Sequence, residues 1–197
     1  SVKRVTEKSI TQILIEKNLD HIVPYQNEEV AINIYGDPII QSKSKIPYKK
    51  MEAWRSNFHG VQVRFKKTNF ILYGSVDDIW LDTKNNSLIL VDYKSQANEN
   101  KVSQETYWNG DFKTGYQRQL DFYFYLLKQQ NFKETISDDA YLLVVNARGL
   151  DEIFDKKLLF ESTLIHTKVK DENLEEEIQE MIDVFNSDKV PESNKLC

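Results

Sequence analysis

Cysteine and long apolar runs are both scarce in this sequence of 197 residues. Cys197 is the single cysteine, which excludes an internal disulfide framework and any metal cluster held by several thiolates of this chain. No apolar run approaches the roughly 18–20 residues that a helix needs to span a bilayer, and the first residues lack the apolar segment of a secretion signal. We therefore expect a cytoplasmic protein with no membrane partner.

Several common functional motifs are missing as well. Neither a P-loop nor a G-x-G-x-x-G sequence occurs, which argues against an ATPase or a dinucleotide-dependent enzyme. The three histidines lie far apart and do not have the spacing of zinc ligands. No repeat with a period of about 20–50 residues is present, which argues against a repeat architecture.

The charged residues are distributed unevenly along the chain. The net charge is −5, but residues 43–67 contain eight basic residues against one acid, and residues 171–192 contain nine acids against one lysine. Two interpretations stay open: the runs are solvated faces of opposite sign, or the basic run binds a polyanion while the acidic run points away. Overall acidity argues against a protein that coats DNA, but it is compatible with a catalyst that has a local basic track.

Hydrophobic residues make up 40% of the chain, and their spacing predicts an α/β mixture. Short apolar segments predict a meander of consecutive strands, over residues 61–65, 70–73, 76–81 and 88–91. Two later strands are predicted over residues 140–145 and 158–169, and one short strand near 30–35. Helical periodicity predicts helices over residues 6–18, 49–58, 114–130 and 174–186. This order of elements indicates a mixed sheet flanked by helices.

Two charged residues follow the apolar run at residues 88–91, which is predicted to be a buried strand. Asp92 and Lys94 are two positions apart, so their side chains project from the same face of the strand. Asp77 lies on the preceding extended segment, and a short turn can bring its carboxylate beside that of Asp92. Asp78 competes with Asp77 for this place, but neighbours on a strand face opposite sides, so only one of them is expected there.

The paired carboxylates of Asp77 and Asp92 predict a metal site. They would repel each other unless a cation lay between them. A hard divalent ion such as Mg²⁺ suits oxygen ligands and keeps positions open for water and phosphate. Lys94 is then placed to hold or help deprotonate the attacking water and to offset charge that grows on the phosphate. The alternative is an ordinary salt bridge between Lys94 and an acid.

Three elements together resemble one known family. Residues 74–77 have the pattern G-x-x-D, residues 92–94 read D-x-K, and residues 119–123 fit Q-x-x-x-Y. The first two resemble the PD-(D/E)XK nuclease superfamily, and the third is similar to the signature of its RecB-type exonuclease branch. The order and spacing of the three agree over about residues 60–146.

The resemblance implies a restriction-endonuclease-like core, which is an α/β fold with a central mixed sheet flanked by helices. The length of 197 residues predicts one domain, which we expect to be nuclease-like over residues 1–197, with an N-terminal helix and irregular segment at 1–48, a catalytic core at 49–170 and an acidic C-terminal helix and tail at 171–197.

The resemblance also implies hydrolysis of DNA phosphodiesters that depends on Mg²⁺ or Mn²⁺. Asp77, Asp92 and the backbone carbonyl of Tyr93 would bind the metal, and Lys94 would serve the water. Gln119 and Tyr123 are at positions i and i+4, so they share one helix face and could position a DNA strand near the metal.

Some features depart from the family pattern. Members often carry an upstream acidic or histidine ligand, for which Glu52 and His59 are candidates with no persuasive spacing. The iron–sulfur branch needs four cysteines, so no such cluster is expected in this chain. The ending VPESNKLC resembles the approach to a C-x-x-C pair, in which Cys197 would be one half.

The favoured function is a deoxyribonuclease that acts on ends or single strands in DNA repair, recombination or defence. DNA is the expected substrate, and a helicase or another repair or defence protein is the expected partner. A non-catalytic DNA-binding or scaffold module with the nuclease fold is the alternative. A metal-dependent enzyme acting on a small phosphorylated substrate is a third.

Overall fold

The structure is a computed structural model that describes residues 3–6, 9–25, 54–57, 60–110, 113–130, 132–148, 157–190 and 192. These residues form eight strands: β1 (Lys3–Thr6), β2 (Ile22–Pro24), β3 (Val61–Arg64), β4 (Ile71–Gly74), β5 (Asp78–Asp82), β6 (Ser87–Ala97), β7 (Thr135–Arg148) and β8 (Lys157–Lys168). They also form three α-helices: α1 (Ile10–Glu16), α2 (Lys113–Lys128) and α3 (Leu174–Phe185). None of these helices combines the length and the apolar character that crossing a membrane requires.

Six of the strands form one mixed sheet in the order β1-β8-β7-β6-β5-β2. Strands β6 and β7 are parallel, and α2 lies in the crossover between them. The pairs β5–β6 and β7–β8 are antiparallel, while β1 pairs with β8 in parallel. The predicted α/β class, with a central mixed sheet flanked by helices, is confirmed.

The prediction of one continuous meander over residues 61–91 is wrong. Strands β3 and β4 pair with each other in a separate two-stranded sheet, whereas β5 and β6 belong to the six-stranded sheet. The chain leaves β4 at Gly74, and the backbone N–H of Val76 then donates to the carbonyl of Trp54 rather than to a strand. Apolar alternation predicted each strand but carried no information about its pairing partner.

Two hydrophobic cores lie on the two faces of the large sheet, and β6 contributes to both. Leu88 and Leu90 enter the core that α2 and α3 cover, while Ile89 and Val91 enter the core with α1. Because side chains alternate along a strand, the next residue on the α2 side is Asp92. The sheet therefore directs Asp92 toward α2.

The helices follow the predicted apolar stripes. Helix α2 buries Leu120, Phe124 and Leu127, and α3 buries Leu174, Ile178 and Ile182. Helix α1 is shorter than predicted because the side chain of Ser9 accepts a hydrogen bond from the backbone of Gln12 and so caps the helix. The strand predicted near residues 30–35 and most of the helix predicted over 49–58 lie outside the described residues.

Candidate active site

The site lies where β6 extends beyond its neighbour β5. The register pairs Asp78, the first residue of β5, with Val91, so the residues of β6 after Val91 pair with β7 alone. On the open side, the backbone N–H of Tyr93 donates to the Asp77 carboxylate at 2.8 Å. The Asp77 side chain thus takes the place of a strand partner beside Asp92.

Asp92 and Lys94 project from the same face of β6, as predicted. The ammonium of Lys94 lies 2.7 Å from Oδ2 of Asp92, and the Asp92 side chain is only 3% exposed. The buried Oδ2 therefore has the ammonium of Lys94 as its partner. Burial raises the pKa of Asp92 above its usual value, and the charge of Asp77 adds to that rise, while Lys94 opposes it.

A side chain of helix α2 binds Lys94. Lys94 donates to Oε1 of Gln119 at 2.8 Å, and the Gln119 amide donates to the hydroxyl of Tyr123 at 2.9 Å. The ring of Tyr123 packs on Gly74, where a Cβ atom would come within 2.4 Å of the ring. A chain of direct contacts therefore links the end of β4, one face of α2 and the polar end of β6.

Asp78 lies in a different environment from Asp77. Its carboxylate accepts hydrogen bonds from Arg55 at 2.7 Å, from the backbone of Ile79 at 2.9 Å and from the hydroxyl of Tyr93. Since Tyr93 and Asp92 are neighbours on β6, these contacts lie on the face of the sheet opposite to that of Asp92. Asp78 is fully engaged there, and the structure brings only Asp77 next to Asp92.

Arg55 links the two aspartates. Its Nε donates to the backbone carbonyl of Asp77 at 2.9 Å, while one of its terminal nitrogens donates to the Asp78 carboxylate. An arginine can make two such bonds at once because its donors are fixed in a planar fork. Arg55 therefore holds the segment that presents Asp77.

A cluster of aromatic rings and a second lysine borders the site. The Lys94 ammonium lies 4.6 Å from the ring centre of Tyr116. Lys113 lies 5.0 Å from the same ring centre and 3.9 Å from that of Tyr107. The part of α2 that faces Lys94 thus carries a positive charge of its own.

The donor set at Asp77 and Asp92 fits a divalent ion. No group of three or more His, Cys, Asp or Glu able to hold a metal occurs in the described part of the chain. Mg²⁺, however, commonly uses one or two carboxylates and completes its shell with water and substrate oxygens. Burial raises the pKa of Asp92 even though Lys94 is in contact with it, so a divalent cation bound beside Asp77 and Asp92 would relieve an unfavourable buried charge.

The predicted site residues come together, and their roles stay predictions. The structure places in one cluster all six residues that the sequence singled out: Asp77, Asp92, Tyr93, Lys94, Gln119 and Tyr123. The two candidates for a further ligand, Glu52 and His59, lie outside the described residues, as does Cys197.

Arg55 and Lys113 border the site but were not predicted from the sequence. Arg55 counted there only as one charge in a basic run, and nothing about its spacing pointed to Asp77 or Asp78. Lys113 begins a helix whose later residues carry the recognised motif. A basic residue one or two turns before that motif was the available signal, and it is a weak one.

Comparison with known proteins identifies one family. The family model of the PD-(D/E)XK nuclease superfamily matches residues 19–197, a range that includes every element of the site. No curated protein and no solved structure shows significant similarity to the chain.

Proposed function

Because the chain belongs to the PD-(D/E)XK nuclease superfamily, we propose that it hydrolyses DNA phosphodiester bonds with Mg²⁺ or Mn²⁺ as the cofactor. Members of this superfamily are typically nucleases and generally use divalent metals. We assign the activity to this site on one observation, which is that Asp77, Asp92 and Lys94 lie together at the open side of β6.

Each residue has a role that follows from its contacts. Asp77, Asp92 and the backbone carbonyl of Tyr93 would hold the metal ion. When bound, the ion supplies a Lewis acid for the phosphate and lowers the pKa of a water molecule. Of the three N–H donors of Lys94, one faces Asp92 and one bonds to Gln119, so a third can donate to the attacking water or to a phosphate oxygen.

Gln119 and Tyr123 would position the DNA strand. The Gln119 amide bonds to Lys94 through its oxygen and to Tyr123 through one N–H. Its second N–H can donate to a phosphate oxygen. Removing either side chain would loosen Lys94 as well as the strand.

The finer assignment rests on the motif in α2. D-x-K followed by Q-x-x-x-Y supports membership of the RecB-type exonuclease branch, and with it action on DNA ends or single strands in repair, recombination or defence. A helicase or another repair or defence protein would then be the partner that delivers the substrate. We propose a cytoplasmic protein with one nuclease-like domain.

A cleavage assay tests the proposal. Labelled single-stranded and duplex DNA is incubated with wild type, Lys94→Gln and the control Lys168→Gln in Mg²⁺ or Mn²⁺. Lys168 is a suitable control because it also contacts an aspartate, Asp139, at 2.9 Å, but on the surface. Wild type and Lys168→Gln should cleave, while Lys94→Gln should be slower by about 10²–10⁴-fold, the usual contribution of a proton-transferring side chain.

Two outcomes would contradict the proposal. A wild-type protein that binds DNA with a strong salt dependence but cleaves neither substrate would support the non-catalytic DNA-binding module instead. Equal cleavage by Lys94→Gln and wild type would place the chemistry elsewhere in the chain.

A further inference from the structure

Two lysines share one aromatic ring beside the candidate active site. Lys94 and Lys113 lie 4.6 Å and 5.0 Å from the ring centre of Tyr116. Cation–π contact of this kind stabilises an ammonium group only modestly. The ring holds both charges near each other without neutralising either.

The two lysines differ in their anionic partners. Lys94 is paired with Asp92 at 2.7 Å, whereas Lys113 forms no salt bridge with any carboxylate of the described residues. Burial lowers the pKa of Lys113, and the charge of Lys94 lowers it further. A half-buried cation next to a second cation is a place where an anion would be bound favourably.

Other features of the same place favour an anion. Lys113 is the first residue of α2, a helix of 16 residues with no acidic side chain in its first turn. The N-terminus of a helix carries partial positive charge, although the backbone N–H of Lys113 already donates to the carbonyl of Gly110 at 2.9 Å. The hydroxyl of Tyr107, a residue only 6% exposed, has no hydrogen-bond partner within the described structure.

Tyr107 borders the same lysine. The Lys113 ammonium lies 3.9 Å from the ring centre of Tyr107. Burial raises the pKa of Tyr107, and the charge of Asp92 adds to that rise.

We propose that Lys113, which shares the ring of Tyr116 with Lys94, binds the phosphate that adjoins the scissile phosphate on a nucleic-acid strand. The inference rests on the proposed function and deepens it, because it requires a substrate with at least two consecutive phosphates. Lys94 then contacts the phosphate that reacts, and Lys113 contacts the neighbouring phosphate. The two contacts together fix the position of the strand relative to the metal site.

A binding experiment without turnover tests Lys113 directly. The affinity of a fluorescein-labelled single-stranded oligonucleotide is measured by anisotropy over a range of salt concentrations in EDTA. Lys113→Gln should bind about tenfold more weakly, as expected for the loss of one hydrogen bond to a charged group. The slope of log K against log salt should fall by about 0.7, the value for one contact to a single-strand phosphate.

The control variants separate charge from structure. Lys113→Arg keeps the charge and should retain the wild-type slope. Lys128→Gln removes the same charge from the other end of α2, where Lys128 also lies over a ring, at 5.1 Å from the centre of Phe124. It should leave the slope unchanged. Equal slopes for Lys113→Gln and wild type would overturn the inference.

A cleavage experiment identifies the phosphate. An oligonucleotide series in which single phosphates are replaced by neutral methylphosphonates is cleaved by wild type and by Lys113→Gln. The cleavage rate of wild type should fall about tenfold when the phosphate next to the cleaved bond is replaced. The same replacement should not change the rate of Lys113→Gln, because that variant already lacks the contact between Lys113 and this phosphate. If each replacement lowered the cleavage rate of Lys113→Gln as much as that of wild type, the contact between Lys113 and a phosphate would be contradicted.

The two proposals fail in different ways. A wild type that cleaves no substrate would contradict the proposed nuclease activity. The difference in salt slope between Lys113→Gln and wild type is measured without cleavage, so it would still test phosphate binding by Lys113. An active wild type with no difference in slope would contradict only the role of Lys113.

Discussion

Two clusters of lysine and aspartate in this molecule have almost the same ion-pair distances but different surroundings. At the candidate active site, Lys94 lies 2.7 Å from Asp92, whose side chain is 3% exposed. In a surface cluster on β7 and β8, Lys168 lies 2.9 Å from both Asp138 and Asp139, and the Asp139 side chain is 38% exposed. His166 contacts the same oxygen of Asp139, Oδ1, at 2.6 Å.

The pKa values of the two aspartates move in opposite directions. Burial dominates at Asp92 and raises its pKa, even though Lys94 is in contact with it. Burial also acts on Asp139, but the hydrogen bonds from Lys168 and His166 outweigh burial and lower its pKa. The two cations of the surface cluster offset the burial of Asp139, whereas Lys94 does not offset the burial of Asp92. Ion-pair distance alone therefore does not distinguish a site from a surface network.

Metal binding should give the largest difference between the two clusters. We expect saturating Mn²⁺ to raise the free energy of unfolding of wild type, by about 2.7 kcal/mol at 100 times the dissociation constant, because the ion binds only the folded chain. Asp139→Asn should gain the same increment over its metal-free value, and Asp92→Asn should gain none. Thermal or denaturant unfolding with Mn²⁺ and with EDTA measures this. A full increment in Asp92→Asn would exclude that carboxylate as a ligand.

Arg55 should affect metal binding without contacting the metal. In Arg55→Lys the two simultaneous hydrogen bonds to Asp77 and Asp78 are lost. The metal concentration for half-maximal cleavage should then rise about 10–100-fold, as for other residues that orient metal ligands. The kcat at saturating metal should stay near that of wild type, since Arg55 acts only by positioning Asp77.

The matched control for that prediction is Arg118→Lys. Arg118 also bonds to a carboxylate, that of Glu177, but between α2 and α3 and on the surface. It should leave the metal requirement unchanged. A drop in kcat without a change in metal requirement for Arg55→Lys would contradict the positioning role.

The active-site half of this comparison was predictable from the sequence to a large extent. The period of two on β6 put Asp92 and Lys94 on one face, and the spacing of four on α2 put Gln119 and Tyr123 on another. Local periodicity is sufficient for such contacts because each involves one element. Alternation also predicted that only one of Asp77 and Asp78 enters the site, and the G-x-x-D pattern favoured Asp77.

The remaining features depend on how separate elements pack. The split between β3–β4 and β5–β6 could not be read from four similar apolar segments, since strand pairing is set by tertiary contacts. Arg55 reaches Asp77 across 22 positions and Lys113 lies beside Lys94 only because α2 packs on β6. The burial that distinguishes Asp92 from Asp139 is likewise a property of the folded chain.

Two glycines, Gly74 beside the active site and Gly115 in open space, give a further comparison with smaller expected effects. Gly74→Ala would place a Cβ atom 2.4 Å from the buried ring of Tyr123, so we expect a loss of about 1–3 kcal/mol of stability and slower cleavage, since Tyr123 supports Gln119. Gly115→Ala, in α2 with open space around it, should instead stabilise the protein by about 0.5–1 kcal/mol. Denaturant unfolding measures both changes. Equal effects of the two substitutions would show that Tyr123 can move away without cost.

The surface cluster should show the smallest effect, and it should depend on pH. The pKa of Asp139 lies below its ordinary value of 3.8, so the cluster stabilises the folded state fully above that value and loses the contribution as pH falls through the lowered pKa. Because the side chain is over a third exposed, solvent screening limits the contribution to about 0.2–1 kcal/mol. The difference in free energy of unfolding between wild type and Asp139→Asn should therefore shrink as the pH falls below about 5.

Asp20→Asn, which removes an exposed carboxyl 4.0 Å from His21, serves as the control and should show a smaller difference. In 1 M salt, where the Debye length is about 3 Å, the Asp139 difference should decrease. A difference that grows as the pH falls below about 5 would mean that Asp139 holds its proton in the folded state, as the buried Asp92 tends to do, and the contrast between the two clusters would then be lost.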